Sequence, residues 1–403
     1  MHPSTQNRAL APTKVLHVMR LPTGGLFRHV RDLVAGQQDA GIAAGVVCAV
    51  PPDDGVSGAR LAALEARCGL GLHVVPMRRL PGFGDISNMR EIGALIARLH
   101  PNVVHGHGAK GGLLARLAPV SRDAIRIYTP HGGTLHYSGM TPHGFAFLAT
   151  ERLMRSRTDG FIFESEFSRT EFIAKVGKPG AAAAVIHNGL ANTEFLPIGH
   201  ADAAADFLFI GELRMLKGVS TLIEAMRLLG RPARLKIVGE GPDRAHFEEL
   251  ARTLPPGIRV EFLGAMPARA AFRLARIVVM PSWNESLPYV ALEAAAAGIP
   301  LIATRVGGVS EIFGSEAHRL VAPGDAAALS RALAKALSEP GDIVGSAMRL
   351  KVRVERLFSV TEMVAAVNGF YARILSGKSQ RRVPAPGIPI LEGVGPRFTG
   401  GGR

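Results

Sequence analysis

The strongest constraint on this chain is a repeating alternation of short apolar runs with helix-like stretches. "KVLHVM" (residues 14–19), "AAGVVCAV", "GLHVV", "PNVVHGHG", "IRIYTPHG" and "DGFIFES" follow one another, separated by stretches such as residues 27–40 and 86–100. Strands alternating with helices predict βαβ units and a parallel sheet. The alternation pauses in the polar, alanine-rich stretch "ANTEFLPIGHADAAAD" and restarts with "DFLFIGEL", "RLKIVGEGP", "RVEFLGAM", "IVVMPSWNE" and "PLIATRVGG". The chain is therefore expected to form two sheets of one kind, with a boundary near residues 188–203. Its 403 residues exceed one hydrophobic core and suit two domains of about 150–200 residues each. The predicted fold class is α/β, with two Rossmann-like doubly wound domains facing across a cleft. Open α/β sheets bind ligands beyond the carboxyl ends of their strands, so those ends are where chemistry is sought.

The expected divisions are residues 1–188 and 189–357, followed by a last helix over 358–375. The tail from 376 to 403, "SGKSQRRVPAPGIPILEGVGPRFTGGGR", is rich in Gly, Pro and Arg without a period, and reads as disordered. Two cysteines, Cys48 and Cys68, exclude a disulfide framework and a cysteine-rich zinc site. "MHPSTQNRALAPTK" holds no apolar core of signal-peptide length, and no window holds about 18 unbroken apolar residues, so a cytoplasmic protein is expected.

The net charge of +14 is uneven: residues 1–188 hold 21 Lys and Arg against 13 Asp and Glu. A basic first half could meet nucleic acid, an anionic bilayer or a phosphorylated substrate. Nucleic-acid binding would call for clustered arginines with stacking aromatics. Aromatics make up only 6% and the arginines are scattered, so no nucleic-acid partner is expected.

The segment "PSWNESLPYVALEAAAAGIPLIAT" places Glu285 and Glu293 eight positions apart among small and apolar residues. If residues 289–297 are helical, Glu285 lies in the preceding loop at a strand's carboxyl end and Glu293 lies one turn into the helix. Ser286 and Leu287 then offer backbone N–H groups near a helix N-terminus, a good seat for hydroxyl or phosphate oxygens. A carboxylate such as Glu293 can accept from two vicinal hydroxyls of a ribose. "PTGGLFRHV" holds Gly24 and Gly25, where backbone can approach a phosphate ahead of a helix N-terminus; the pattern is not the dinucleotide-binding Gly-x-Gly-x-x-Gly. "YTPHGGTLHY" ends a strand at His131, with Gly132 and Gly133 behind it. "HGHGAKGG" also ends a strand; two histidines at i, i+2 suggest a metal, but no third ligand is evident. His107 and Lys110 are read as lining an acceptor cleft.

The run from "ESLPYVALE" through "AAAAGIPLIATRVGGVSEI" resembles the hallmark of family-4 retaining glycosyltransferases of the GT-B fold. The resemblance covers roughly residues 14–375. It implies that Glu285 and the amides of Ser286 and Leu287 hold the donor sugar, and that Glu293 holds the nucleotide ribose. "FIGELRMLKGVSTLIEA" is similar to the family segment whose cations clamp the donor diphosphate. Lys217 matches the family Lys, whereas Glu212 stands where the family Arg is common, leaving Arg214 to take that role. Two cations at a strand mouth can stabilise the charge growing on a leaving nucleoside diphosphate. No Asp-x-Asp motif is present, so no metal and no cofactor are expected. "VGEGPD", with Gly239, Glu240 and Gly241, resembles the family turn beside the nucleotide base. His131 matches the family His near the reaction centre.

The resemblance implies transfer of a hexose, with retention, from a nucleotide-sugar donor to a hydroxyl of a glycan or lipid-linked acceptor, in surface polysaccharide or glycolipid assembly. Sugar-nucleotide 2-epimerases share the architecture and form the alternative; they need paired acid and base carboxylates, and none is evident in the first half. "MRRLPGFGD" and "HYSGMTPHGFAFLATERLMRSR" mix arginines with apolar residues, so a peripheral position on an anionic membrane surface at the inner face of the cell membrane is expected.

Overall fold

A computed structural model describes residues 13–50, 57–78, 82–136, 139–201 and 203–380. The expected disorder of 381–403 lies outside the described residues. The first sheet holds β1 (Lys14–Val18), β2 (Ala43–Cys48), β3 (Leu72–Val74), β4 (Val103–His107), β5 (Ile125–Thr129), β6 (Gly160–Phe163) and β7 (Ala182–Val185) in the order β3-β2-β1-β4-β5-β6-β7. The second holds β8 (Ala205–Ile210), β9 (Ala233–Val238), β10 (Ile258–Phe262), β11 (Ala275–Met280) and β12 (Leu301–Ala303) in the order β10-β9-β8-β11-β12. Every neighbouring pair of strands is parallel.

Helices cover both faces of these sheets, which is why the central strands read as unbroken apolar runs. β4 is buried along its whole length, and so are the last four residues of β11. The order reverses at β1/β4 and again at β8/β11, and doubly wound sheets open a crevice at such points.

The last helix, Val360–Gln380, belongs to the first sheet's core although it follows the second domain in sequence. Met363, Val364, Val367, Phe370 and Tyr371 recur at helical spacing and pack on Val15, Leu33, Val103, Ile125 and Ile162. The chain returns through a parallel bridge between Leu190 and Ser359. The helix runs five residues beyond the expected end at 375, so the tail does not begin at 376. Lys378 accounts for this, since its Nζ donates to the Ala124 carbonyl oxygen at 2.7 Å and ties the final turn to the first domain.

One buried ion pair braces the first domain. Arg116 Nη1 donates to Glu151 Oε2 at 2.9 Å, and Tyr128 Oη donates to Glu151 Oε1 at 2.7 Å. The guanidinium also lies 3.8 Å from the centroid of the Tyr128 ring. Removing one partner of a buried pair strands the other charge and costs about 3–5 kcal/mol, whereas losing one hydrogen bond to a charged group costs about 1.5–3 kcal/mol. Glu151→Ala is therefore expected to lower the urea midpoint of the first domain more than Tyr128→Phe does; equal, small shifts would contradict the pairing.

Candidate active site between the two sheets

The carboxyl ends of both sheets face one cavity of about 400 Å³. From the second domain, the loop after β11 brings Glu285 to its wall, and the turn before the helix Val219–Arg227 brings Lys217. Lys217 Nζ donates to Glu285 Oε1 at 2.7 Å, and Ser282 Oγ donates to the same oxygen at 2.7 Å. The loop is pinned from behind. Thr304 Oγ1 donates to the Ser282 carbonyl at 2.6 Å, and Trp283 binds the Lys217 turn through its backbone N–H to Leu216 and its Nε1 to Thr221 Oγ1, both at 2.9 Å. Glu285 thus reaches the cavity with its charge already answered, and buried carboxylates need such partners. Ser286 and Leu287 line the same wall just ahead of the helix Tyr289–Ala296.

From the first domain, the cavity receives Gly24 and Gly25 after β1 and His131 after β5. His131 has φ +51°, a left-handed backbone uncommon for a residue with a side chain and typical of constrained sites. Its Nδ1 lies 3.0 Å from Glu164 Oε2, and its Nε2 lies 3.0 Å from His107 Nδ1. Burial acts to raise the Glu164 carboxyl, but the neighbouring His131 outweighs it and holds the group below the usual carboxylate range.

A second cavity of about 250 Å³ opens on the first-domain side, lined by His107, Lys110, Leu26, Phe147 and again His131. His131 therefore stands at the junction of the two. Lys110 is nearly buried, with Nζ 2.7 Å from both carboxylate oxygens of Asp85, so its charge is directed into that pair.

The structure thus gathers Gly24, Gly25, His131, Lys217, Glu285, Ser286 and Leu287 on one cavity, and His107 and Lys110 on the next. It does not bring the others to these walls. Arg214 is half exposed, with Nη1 3.7 Å from Glu212 Oε2. Gly239, Glu240 and Gly241 form a turn stacked on the one after β8: a Cβ on Gly239 would sit 1.8 Å from the Gly211 carbonyl oxygen, and Glu240 pairs with Arg244. These glycines serve the packing of one strand-end turn on another.

Glu293 faces Arg28 of the first domain, which also grips Glu194 and lies 4.4 Å from the centroid of the Tyr289 ring. Burial pushes the Glu293 carboxyl up to about 7, with Arg28 acting in the other direction. Glu293 is therefore a strut between the domains in this structure.

Sequence reasoning missed Glu164, Asn188 and Tyr289, all on the larger cavity. Glu164 follows the apolar run of "DGFIFES", and its place after a strand was the available signal. The reading that the histidines of "HGHG" have no third imidazole is also corrected: the fold brings His17, His29 and His131 against them.

Comparison with known proteins agrees with this architecture. Residues 24–189 match the model of the glycosyl transferase 4-like domain, and residues 193–353 match that of glycosyl transferases group 1. The glycogen synthase of Mycobacterium tuberculosis is 29% identical over 309 residues, covering 72% of this chain and 73% of that protein. Bacillus subtilis EpsD, described as a glycosyltransferase, is 31% identical over 296 residues, covering 66% of this chain and 75% of that protein. The chain belongs to the group 1 glycosyltransferases, and it is a glycosyltransferase enzyme of the GT-B fold. Among solved structures, sucrose-phosphate synthase from Thermosynechococcus elongatus matches over 91% of this chain and all of that one, with a TM-score of 0.76 and 20% identity. Anabaena HepE in complex with UDP and glucose matches over 90% of this chain and all of that one, with a TM-score of 0.73 and 17% identity; these two likenesses show the fold.

The position of Glu285 depends on Gly307. That residue has φ +55°, and a Cβ on it would lie 2.1 Å from the Glu285 carbonyl oxygen. A side chain in left-handed backbone costs roughly 1–2 kcal/mol before any clash, and about 2–4 °C of melting temperature accompanies each kcal/mol in a domain of this size. Gly307→Ala should lower the melting temperature of the second domain by at least about 2 °C by this reckoning. Gly199→Ala, which meets nothing within 4 Å, should leave it unchanged. Matching melting curves for the two variants would show that the Glu285 loop does not lean on Gly307.

Proposed function

We propose that this glycosyltransferase moves a hexose, with retention of configuration, from a nucleoside-diphosphate sugar to a hydroxyl of a glycan or lipid-linked acceptor in surface polysaccharide or glycolipid assembly. The observation that carries the reading is the Lys217–Glu285 pair on the wall of the larger cavity. Lys217 supplies a cation for the leaving diphosphate, where preorganised charge counts most. Glu285 and the adjoining amides supply acceptors and donors for the sugar hydroxyls, and the helix that begins at Gly24 presents N–H groups to the phosphates from the opposite wall. The diphosphate charge is answered by this chain's own groups, with no metal needed there. Arg214 would join only by leaving the surface.

Retention accords with the placement of carboxylates. Glu164 is committed to His131, and Glu285 to Lys217 and Ser282. Neither is left as a bare nucleophile, which suits attack on the face the leaving group vacates. The epimerase alternative would need two carboxyl groups free to exchange protons with the sugar. HepE, solved with UDP and glucose, sets a uridine nucleotide first among the donors to try. The teichuronic acid biosynthesis glycosyltransferase TuaC of Bacillus subtilis supports a polysaccharide setting.

The decisive experiment incubates UDP-, GDP- and ADP-sugars with the protein, following thermal stabilisation, hydrolysis and, by NMR, the anomeric configuration released. One nucleotide class should stabilise the protein, with the product anomer matching the donor. Removing a single preorganised transition-state contact costs about 10²–10³ in kcat, and Glu285→Ala and Lys217→Ala should each lose that much. Wild-type behaviour in both variants would refute the site. Conversion of the donor to its 2-epimer without acceptor would select the epimerase.

The membrane part of the proposal rests on large apolar side chains left in water: Phe83 is 95% exposed and Met140 93%, with Phe145 and Leu153 also exposed on the helix Pro142–Met154. Arg152, Arg155 and Arg157 follow on that element and its continuation. No helix among the described residues is long and apolar enough to cross a membrane. The protein should co-sediment with vesicles of anionic phospholipid and release with salt, and Phe83→Asp with Phe145→Asp should abolish the sedimentation. Equal sedimentation of the double variant would exclude this face.

A further inference from the structure

Five imidazoles meet at the carboxyl ends of β1, β4 and β5, and their hydrogen-bond directions can be worked out one by one. Gln37 Nε2 donates to Asn368 Oδ1 at 3.2 Å, which turns the Gln37 carbonyl oxygen toward His17 Nε2 at 2.8 Å. His17 Nε2 must therefore carry the proton, and a neutral His17 offers a lone pair at Nδ1. His107 Nε2, 2.9 Å away, donates to that lone pair, which leaves His107 Nδ1 without a proton.

The same reasoning applies to His29. Asn188 Nδ2 donates to the Leu287 carbonyl at 3.2 Å, so its Oδ1 accepts from His29 Nδ1 at 3.0 Å, and His29 Nε2 carries a lone pair. That nitrogen is buried and has no hydrogen-bond partner. On His131, Nδ1 lies 3.0 Å from Glu164 Oε2 and Nε2 lies 3.0 Å from His107 Nδ1.

We propose that His29, His107 and His131 form a binding site for a divalent transition-metal ion of the zinc class, set in the wall between the two cavities. Ligand atoms of the three lie within 4.8 Å of one another. The opposite ring nitrogen of each faces an outer group: Asn188 for His29, His17 for His107, Glu164 for His131. Metal-binding histidines are oriented by such outer partners, most often a carboxylate, a carbonyl or another polar group. The hydrogen-bond directions leave lone pairs on His29 Nε2 and His107 Nδ1, the form that ligates. When the ion binds, it gives the orphaned His29 Nε2 a partner.

A neighbouring trio, His17, His105 and His107, is as close. It is the poorer site because its nitrogens are already engaged: His105 lies 2.7 Å from Tyr371 Oη and 2.9 Å from Thr129 Oγ1, and both nitrogens of His17 are bonded. Three neutral imidazoles with no oxygen ligand select zinc-like ions over Mg²⁺ or Ca²⁺. Three protein ligands leave a fourth position for water, and His131 lines both cavities. The site departs from the expectation that no metal is bound, and it is separate from the diphosphate clamp at Lys217.

The test uses the untagged full-length chain, stripped with chelator and titrated with Zn²⁺ by calorimetry and with Co²⁺ by visible absorption, with Mg²⁺ as control. One equivalent of Zn²⁺ and of Co²⁺ should bind, Co²⁺ with the intense bands of a four-coordinate nitrogen site, and Mg²⁺ should give no heat. His29→Ala, shown folded by circular dichroism, should lose the equivalent, and Glu164→Gln should weaken binding by about 10–100-fold, as outer-shell changes do. If His29→Ala does not fold, Glu164→Gln decides alone. No binding by the wild type, or unchanged binding in the folded variants, overturns the proposal. The readout is metal binding alone, so it stands or falls separately from the sugar-nucleotide panel.

Discussion

Parallel pairing is the constraint on which everything else rests. In a parallel sheet every strand ends on the same edge, so one rule of backbone hydrogen bonding gathers the loops after β1, β4, β5 and β6 along one line and those after β8 and β11 along another. Along one such edge, residues far apart in sequence become neighbours without any local signal. Glu164 lies beside His131, and Lys217 bonds to Glu285 across 68 positions. Parallel sheets also require helices on both faces, and the chain satisfies this for the first sheet by sending its last helix back across the molecule.

The two halves are held in register by polar contacts. Glu311 of the second domain accepts from the backbone N–H groups of Glu166 and Phe167 at 2.9 Å each, at the N-terminus of a first-domain helix, and lies 3.0 Å from His187 Nε2. Burial works to raise its pKa, but these donors outweigh that and lower it, as the positive end of a helix should. Arg28 makes a second link by gripping Glu293 and Glu194. Interfaces built on charge and hydrogen bonds open more readily than apolar ones.

Much of this was legible in the sequence. Apolar runs alternating with helices gave two doubly wound sheets, and residues placed at strand ends, such as Glu285, His131 and Gly24, do reach the cavity. Sequence spacing fails where a side chain's partner comes from another part of the chain. Glu293 has the position of a ribose ligand, yet nothing local announces that Arg28 will cross the seam to meet it. Arg214 stands two residues from Glu212 and remains beside it at the surface. His17 and His29 carry no local signal: the register of β1 against β4 pairs His17 with His105, and the helix Gly24–Asp39 brings His29 beside His131.

The question raised by two acids in a segment otherwise made for burial has two answers. Glu285 is tolerated because Lys217 and Ser282 meet it before any ligand does, so the ion pair is part of the fold as well as of the site. Glu293 is tolerated because Arg28 reaches it from the other domain, and burial still raises its carboxyl to about 7. One charge is balanced within its domain and the other across the seam. Separating the domains would leave the Lys217–Glu285 pair intact and strip Glu293 of its partner. The second glutamate is therefore the one whose state depends on the contact between the domains.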